Sequence, residues 1–355
     1  MDIRTDRFVR LAGETNFAIG KMHGTVLADA IRKNINFYLK SFNQPEESIH
    51  ELADYFGLKI ATFSKDYDEE IRGIAEGAQV PLWQVYMLNA RSEIFSTFIQ
   101  QGQNQGITEC TLLFFPETSI MAENWDWALE ISSQTFIFEI SKGNHKPILT
   151  LSEAGILAKI GLSSFGFGIG MNYLAPAEKP SGVPIHIVIR KALDQTSFTD
   201  ARNIFQQFGQ GISGNVCLGN SDGQYVGFEF DGLNTYEILP TTLNKYYCHT
   251  NHYLGKEDPN KNKTLDNATT STAIRFLQAE KIVQTLPPMV DENTAKAVLS
   301  NHDHPEFPIL VPQTKSDSLG EIGTIASIIL SLKEKKMSVT YALEGFKVQH
   351  EYYLN

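Results

Sequence analysis

At 355 residues the chain has room for one large domain or two ordinary ones and for a substantial buried core. Its 42% hydrophobic and 20% charged content is that of a globular protein, and a net charge of −11 without a basic tract argues against a nucleic-acid partner. Three cysteines without metal-ligand spacing suit a reducing compartment, and no apolar run is long enough for a membrane span, so a cytoplasmic protein without membrane partner, cofactor or metal is expected.

Residues 1–109 read as mostly helical. Gly20 to Phe42 carries Val26, Ala30, Phe37 and Tyr38 at helical spacing, and Pro45-Glu46-Glu47 opens a second stretch with acids in its first turn. Further helices are expected from Tyr67 to about Ala78 and from Pro81 through Arg91. His23 reads as structural, Gly24 as a site of close helix packing, and Arg91 with Glu93 as a buried polar pair. Gln100 to Thr108 has the composition of a linker, which also fits a surface loop.

From Cys110 the texture changes. Cys110–Phe115, Ser119–Trp127, Thr135–Ile140 and Pro147–Leu151 are short strand-like runs at meander spacing. Gly161, Gly166, Gly168 and Gly170 fit a twisted hairpin approached closely by backbone or substrate, since the stretch lacks the offsets of a phosphate loop. Helices are expected over Pro184–Leu193 and, capped by Ser197, through Phe208. Strands follow at Asn215–Asn220 and Tyr225–Phe230, then at Tyr246–His252. An exposed loop over Lys256–Asn267, helices over Ser271–Gln284 and Asp291–Ser300, and a hairpin of Thr324–Leu332 with Met337–Leu343 complete the chain. Asn301-His302-Asp303-His304 has no third ligand at short spacing, which speaks against a metal.

Cys110 is the residue of chemical interest. A thiol attacks carbonyl carbons well as its thiolate, and a Cys freed at its amino side also gains an α-amine whose reference pKa near ~8 suits a base. A buried, packing Cys is the plainer alternative.

The ordered set Cys110-Thr111, Asn124-Trp125-Asp126-Trp127, Pro184-Ile185-His186 with Arg190, Leu218-Gly219-Asn220 and His249-Thr250-Asn251-His252 resembles the acyl-coenzyme A:6-aminopenicillanate acyltransferase family, a branch of the N-terminal-nucleophile (Ntn) hydrolases. Met22-His23-Gly24 and Leu88 to Glu93 look like that family's pro-segment. The resemblance implies an α+β protein, a four-layer αββα sandwich of the Ntn hydrolase fold, with residues 1–109 as a helical pro-segment becoming a small subunit and 110–355 as the catalytic large one. It implies self-cutting between Glu109 and Cys110, Cys110 as nucleophile through a thioester, Asn251 in the oxyanion hole and Asp126 as the acid near the nucleophile. Trp125, Trp127 and His249 are weaker candidates for substrate contact, while Asn124, Asn220 and His186 read as structural. The implied partners are a small amide or acyl-thioester substrate, acyl-coenzyme A among them, and the chain's own two fragments.

Two departures stand out. Glu109 occupies the place of the family's usual Gly, whose backbone freedom favours self-cutting. The family's arginine late in the chain has no counterpart, Arg275 being the last one. Slow or blocked cutting, and an uncut binding or structural protein on the same fold, therefore stand beside the enzyme reading. An uncut thiol enzyme with His249 or His252 as base is a third.

Overall fold

A computed structural model describes residues 7–100, 110–240, 246–255, 270–316 and 319–354. Glu109, most of the expected linker and the expected loop at 256–267 lie outside the described residues. The elements in chain order are β1 (Phe8–Gly13), α1 (Asn16–Val26), α2 (Ala28–Phe42), α3 (Glu46–Phe63), α4 (Lys65–Ala78), α5 (Leu82–Asn89), α6 (Arg91–Gln100), β2 (Thr111–Phe115) and β3 (Ile120–Ala128). Then come α7 (Leu129–Ser132), β4 (Thr135–Lys142), β5 (Ile148–Glu153), β6 (Ile160–Ser163), β7 (Phe167–Asn172), α8 (Ile185–Leu193), α9 (Phe198–Phe208), β8 (Ser213–Asn220) and β9 (Tyr225–Asp231). The last are β10 (Thr235–Ile238), β11 (Tyr247–His249), α10 (Ser271–Thr285), α11 (Glu292–Leu299), β12 (Thr314–Ser316), β13 (Gly320–Ser331), β14 (Lys336–Tyr341) and β15 (Gln349–Tyr353).

Short polar side chains set several helix starts. Ser64, Ser197 and Asp291 accept the backbone N–H of Tyr67, Asp200 and Thr294, satisfying donors that a first helical turn leaves open. The helix expected to run unbroken to Phe42 is interrupted at Leu27, which leaves helical angles so that α1 lies along α4 while α2 turns toward α5 and α6. Ala90 breaks the next one in the same way, between α5 and α6.

The first sheet has the order β1-β4-β5-β6-β7-β8-β9-β10, antiparallel throughout except that β1 runs parallel to β4. The second has the order β11-β2-β3-β13-β14-β15, with β12 on β13. β1 corrects the helical reading of the first hundred residues. Val9 and Leu11 point inward and alternate with exposed Arg10 and Ala12, the period of a half-buried strand.

The sheets pack face to face. Gly170 on β7 is one reason they can approach, since a Cβ there would lie 2.5 Å from a Leu112 methyl and 2.7 Å from Glu123 Oε2. Outside the first sheet lie α1, α8 and α9, with the Phe205 ring tilted against Phe228; outside the second lie α10 and α11. The result is the four-layer αββα sandwich that the resemblance implies. One core fills the space between the sheets and under the first helical layer, and a smaller one joins Leu113, Phe115 and Ile329 to Val283 and Leu299.

Arg91 and Glu93 are both buried, yet they do not bond each other. Arg91 Nη2 donates to Glu153 Oε1 at 2.7 Å, and Glu93 Oε1 accepts the Ile185 N–H at 2.9 Å. Each thus fastens the helical segment to the β-rich part, where a mutual pair would have fastened nothing.

Candidate active site

Strand register brings the site together. β11 pairs with β2 as Tyr247–Phe114, Cys248–Leu113 and His249–Leu112, and the same register carried two residues further sets Asn251 beside Cys110. β2 pairs with β3 as Thr111–Asn124, so Cys110 stands across from Trp125 on its other side. Asn251, Cys110, Trp125 and Asp126 therefore gather at one end of the second sheet.

The Cys110 N–H donates to Asn251 Oδ1 at 2.7 Å, and Asn251 Nδ2 donates to the carbonyl of Tyr173, just past β7, at 3.0 Å. Asn251 thus ties the start of β2, at Cys110, to the facing sheet. Its loop is clamped from two sides. Thr272 Oγ1, at the head of α10, accepts the Asn251 N–H at 2.8 Å, and Glu229 accepts the N–H groups of Leu254 and Gly255 at 2.6 and 2.8 Å.

His249 belongs to that clamp. It is fully buried, with Nε2 on Glu229 Oε1 at 2.8 Å and Nδ1 on the Thr250 carbonyl. The expected substrate contact at His249 gives way to a brace beneath Asn251, because both ring nitrogens are engaged and no face meets solvent.

Arg275 is the main residue that sequence reasoning overlooked. From the first turns of α10, its Nη1 donates to the Cys110 carbonyl at 2.7 Å and to Thr111 Oγ1 at 3.0 Å, while Nη2 donates to Asn251 Oδ1 at 3.0 Å. One planar fork spans Cys110 and Asn251, a geometry for which arginine is suited. The available signal was its rank as the last arginine, in a helix opening with small hydroxyl residues.

Around the sulfur the field is mostly unfavourable to charge. Burial, then the Asp126 and Glu123 carboxyl groups, push the Cys110 thiol up to about 12, opposed by Lys159 and by a hydrogen bond from the Asp126 backbone. Glu123 was not singled out from the sequence either. It is buried on β3, its Oε2 accepts the Met171 N–H at 3.1 Å, and burial raises its pKa well above the usual range. Lys159, equally buried, sets Nζ 3.5 Å from the centre of the Trp125 ring.

Trp127 Nε1 donates to the Tyr38 hydroxyl at 3.2 Å, and that hydroxyl donates to Glu153 at 2.6 Å. Trp127 and Asp126 also line a cavity of about 190 Å³ whose other walls include Phe307, Val311, Pro312 and Ile322. Asn124 is structural as expected, its Nδ2 donating to the carbonyls of Leu299 and Ile309. His23 is too, its Nε2 accepting the Gly155 N–H at 2.9 Å.

A family model described as acyl-coenzyme A:6-aminopenicillanic acid acyl-transferase matches residues 114–345. The acyl-coenzyme A:6-aminopenicillanic-acid-acyltransferase 40 kDa form of Emericella nidulans is 28% identical over 253 residues, covering 68% of each chain. Among solved structures, a conjugated bile acid hydrolase from Clostridium perfringens is similar with a TM-score of 0.49 and 10% identity, over 70% of this chain and 93% of that one. A penicillin V acylase from Agrobacterium tumefaciens gives 0.44 and 11%, over 66% and 83%.

Proposed function

The chain belongs to the acyl-coenzyme A:6-aminopenicillanic acid acyl-transferase family, and from that membership we propose that it is a self-processing enzyme of acyl transfer or amide hydrolysis working through a thioester on Cys110. Cys110 first attacks the carbonyl of Glu109 and cuts the chain, leaving residues 1–109 as a small subunit on the large subunit 110–355. The freed α-amine then takes the thiol proton, the thiolate attacks an amide or acyl-thioester carbonyl, and the same amine protonates the leaving group.

Asn251 serves the oxyanion. One Nδ2 hydrogen is on Tyr173, and the second is left for the developing charge; Arg275, by donating to Oδ1, fixes which way the amide points. The Asp126 N–H steadies the thiolate. The apolar-walled cavity beside Asp126 and Trp127 takes the acyl group, and the substrates are linear amides or acyl thioesters, acyl-coenzyme A included.

The observation that carries this reading is the junction of Cys110, Asn251 and Arg275, three residues from distant segments joined by hydrogen bonds of 2.7 to 3.0 Å. Intact mass under denaturing conditions, on wild type and Cys110→Ala, tests it. Two fragments meeting between Glu109 and Cys110 in wild type alone are expected. One whole chain in both would favour an uncut, non-catalytic binding protein, the reading that Glu109 in place of glycine supports.

A further inference from the structure

Cutting the chain poses a proton problem that turnover does not. Until the bond before Cys110 breaks there is no α-amine. The Cys110 nitrogen is an amide that donates its hydrogen to Asn251 and has no lone pair to offer as a base. The buried thiol is meanwhile hard to ionise. His249 is held by Glu229 and Thr250, and His23 Nε2 is occupied by the Gly155 N–H.

Lys159 is placed to solve it. It sits just ahead of β6 in the space between the sheets, against the ring of Trp125, which is the strand neighbour of Cys110. Its charge and the Cys110 thiol act on each other. The groups facing it are Arg91 from α6, Glu153 from β5, Glu123 from β3 and His186 from α8. Glu153 lies 4.0 Å from Nζ and is already bound by Arg91 at 2.7 Å and Tyr38 at 2.6 Å. Burial raises the Glu123 carboxyl well above the usual carboxylate range, and burial, then Arg91 and Lys159, lower His186 well below its own. The Glu153 carboxylate is shared with Arg91 and Tyr38, and burial, then Arg91, lower Lys159 to about 7.

We propose that Lys159 is the base for self-cutting, a task separate from turnover. Its neutral amine takes the Sγ proton of Cys110 as the thiolate adds to the Glu109 carbonyl carbon. The ammonium returns that proton to the Cys110 nitrogen as the C–N bond breaks, giving a thioester and a free α-amine. Water then cleaves the thioester, leaving Glu109 as a carboxylate and restoring the thiol. From that point the α-amine is the base. The inference rests on the self-processing reading above.

The test is the cutting rate, followed by intact mass after pH jumps. In wild type it should climb about tenfold per pH unit below the Lys159 value and level off above it. Lys159→Gln and Lys159→Arg should both cut at least ~100-fold more slowly. Arginine keeps the charge but cannot act as a base, so Lys159→Arg cutting at the wild-type rate would overturn the proposal. So would a wild-type rate that rises through neutrality without a break, a readout that needs no variant to fold. A wild type that stays whole at every pH brings down self-processing itself, and this proposal with it. A wild type that cuts beside variants that cut equally fast brings down this proposal alone.

Discussion

Arg275 donates to the Cys110 carbonyl, to Thr111 Oγ1 and to Asn251 Oδ1, and it does so from full burial. Replacing it with methionine leaves the Cys110 carbonyl and Asn251 Oδ1 short of a donor in a dry site. We expect Arg275→Met to lose about 3 kcal/mol of stability, measured by urea unfolding, and to cut at least ~100-fold more slowly by intact mass. The thiols make a second prediction at this scale. Burial pushes Cys110 up to about 12 in the uncut chain, and it raises Cys217 and Cys248 well above the usual thiol range. Roughly one Cys110 in 10⁴ is thiolate at pH 8, so iodoacetamide should label the native uncut chain very slowly and the cut chain at Cys110 alone. Of the site, the residues inside recognisable motifs (Cys110, Asp126, Asn251) could be read from the chain. Arg275, Glu123 and Lys159 could not, because each is an ordinary charged residue whose meaning lies in what a distant segment places beside it.

At the scale of elements, one joint fastens the helical segment to the β-rich part and a second holds the helical segment itself together. The first is α6 against α8, through Glu93 and the Ile185 N–H. Burial pushes Glu93 up to about 7 from its ordinary 4.5. Between those values the unfolded chain releases its proton and the folded chain keeps it, so this group's contribution falls as pH rises, by roughly 3 kcal/mol. Glu93→Gln should flatten that slope, seen as a smaller change in urea midpoint between pH 5 and 7. His23 works the other way: burial lowers it to about 3, so its contribution falls as pH drops from 6.5, and that slope should survive in Glu93→Gln. The second joint is the crossing of α1 and α4, where helix backbones touch. A Cβ on Gly73 would lie 2.2 Å from the Phe17 carbonyl oxygen, so Gly73→Ala should cost about 3 kcal/mol, read as a lower unfolding midpoint. Helices with clear periods and caps, α4 and α9 among them, were legible within a few residues. β1 was not, because a six-residue strand whose partner is β4, far along the chain, leaves only a faint alternation within a helical region.

Over the whole molecule, the segments on either side of the proposed cut are bound by more than contact area. β1 forms one edge of the first sheet, and Arg190 meets Glu70 at 2.8 Å with both side chains buried. Asn34 and Asn89 donate to the carbonyls of Ala154 and Gly155, and Asn89 Oδ1 accepts the Leu157 N–H. Breaking one such buried ion pair alone costs on the order of 3–5 kcal/mol. Cut protein should therefore elute from gel filtration as one particle of the uncut size and separate into fragments only in denaturant. Early separation in plain buffer would contradict this.

The asparagines that hold residues 154–157 come from one side of the cut, while the register that seats Asn251 beside Cys110 belongs to the other. Under the proposed self-cutting, a chain that has not yet assembled both halves would lack the means of breaking its own bond. The proposed cut would then be a timestamp, written once and only on molecules that have reached their final shape. The proportion of split chains in a growing culture would count how many have ever arrived there, including those that later came apart.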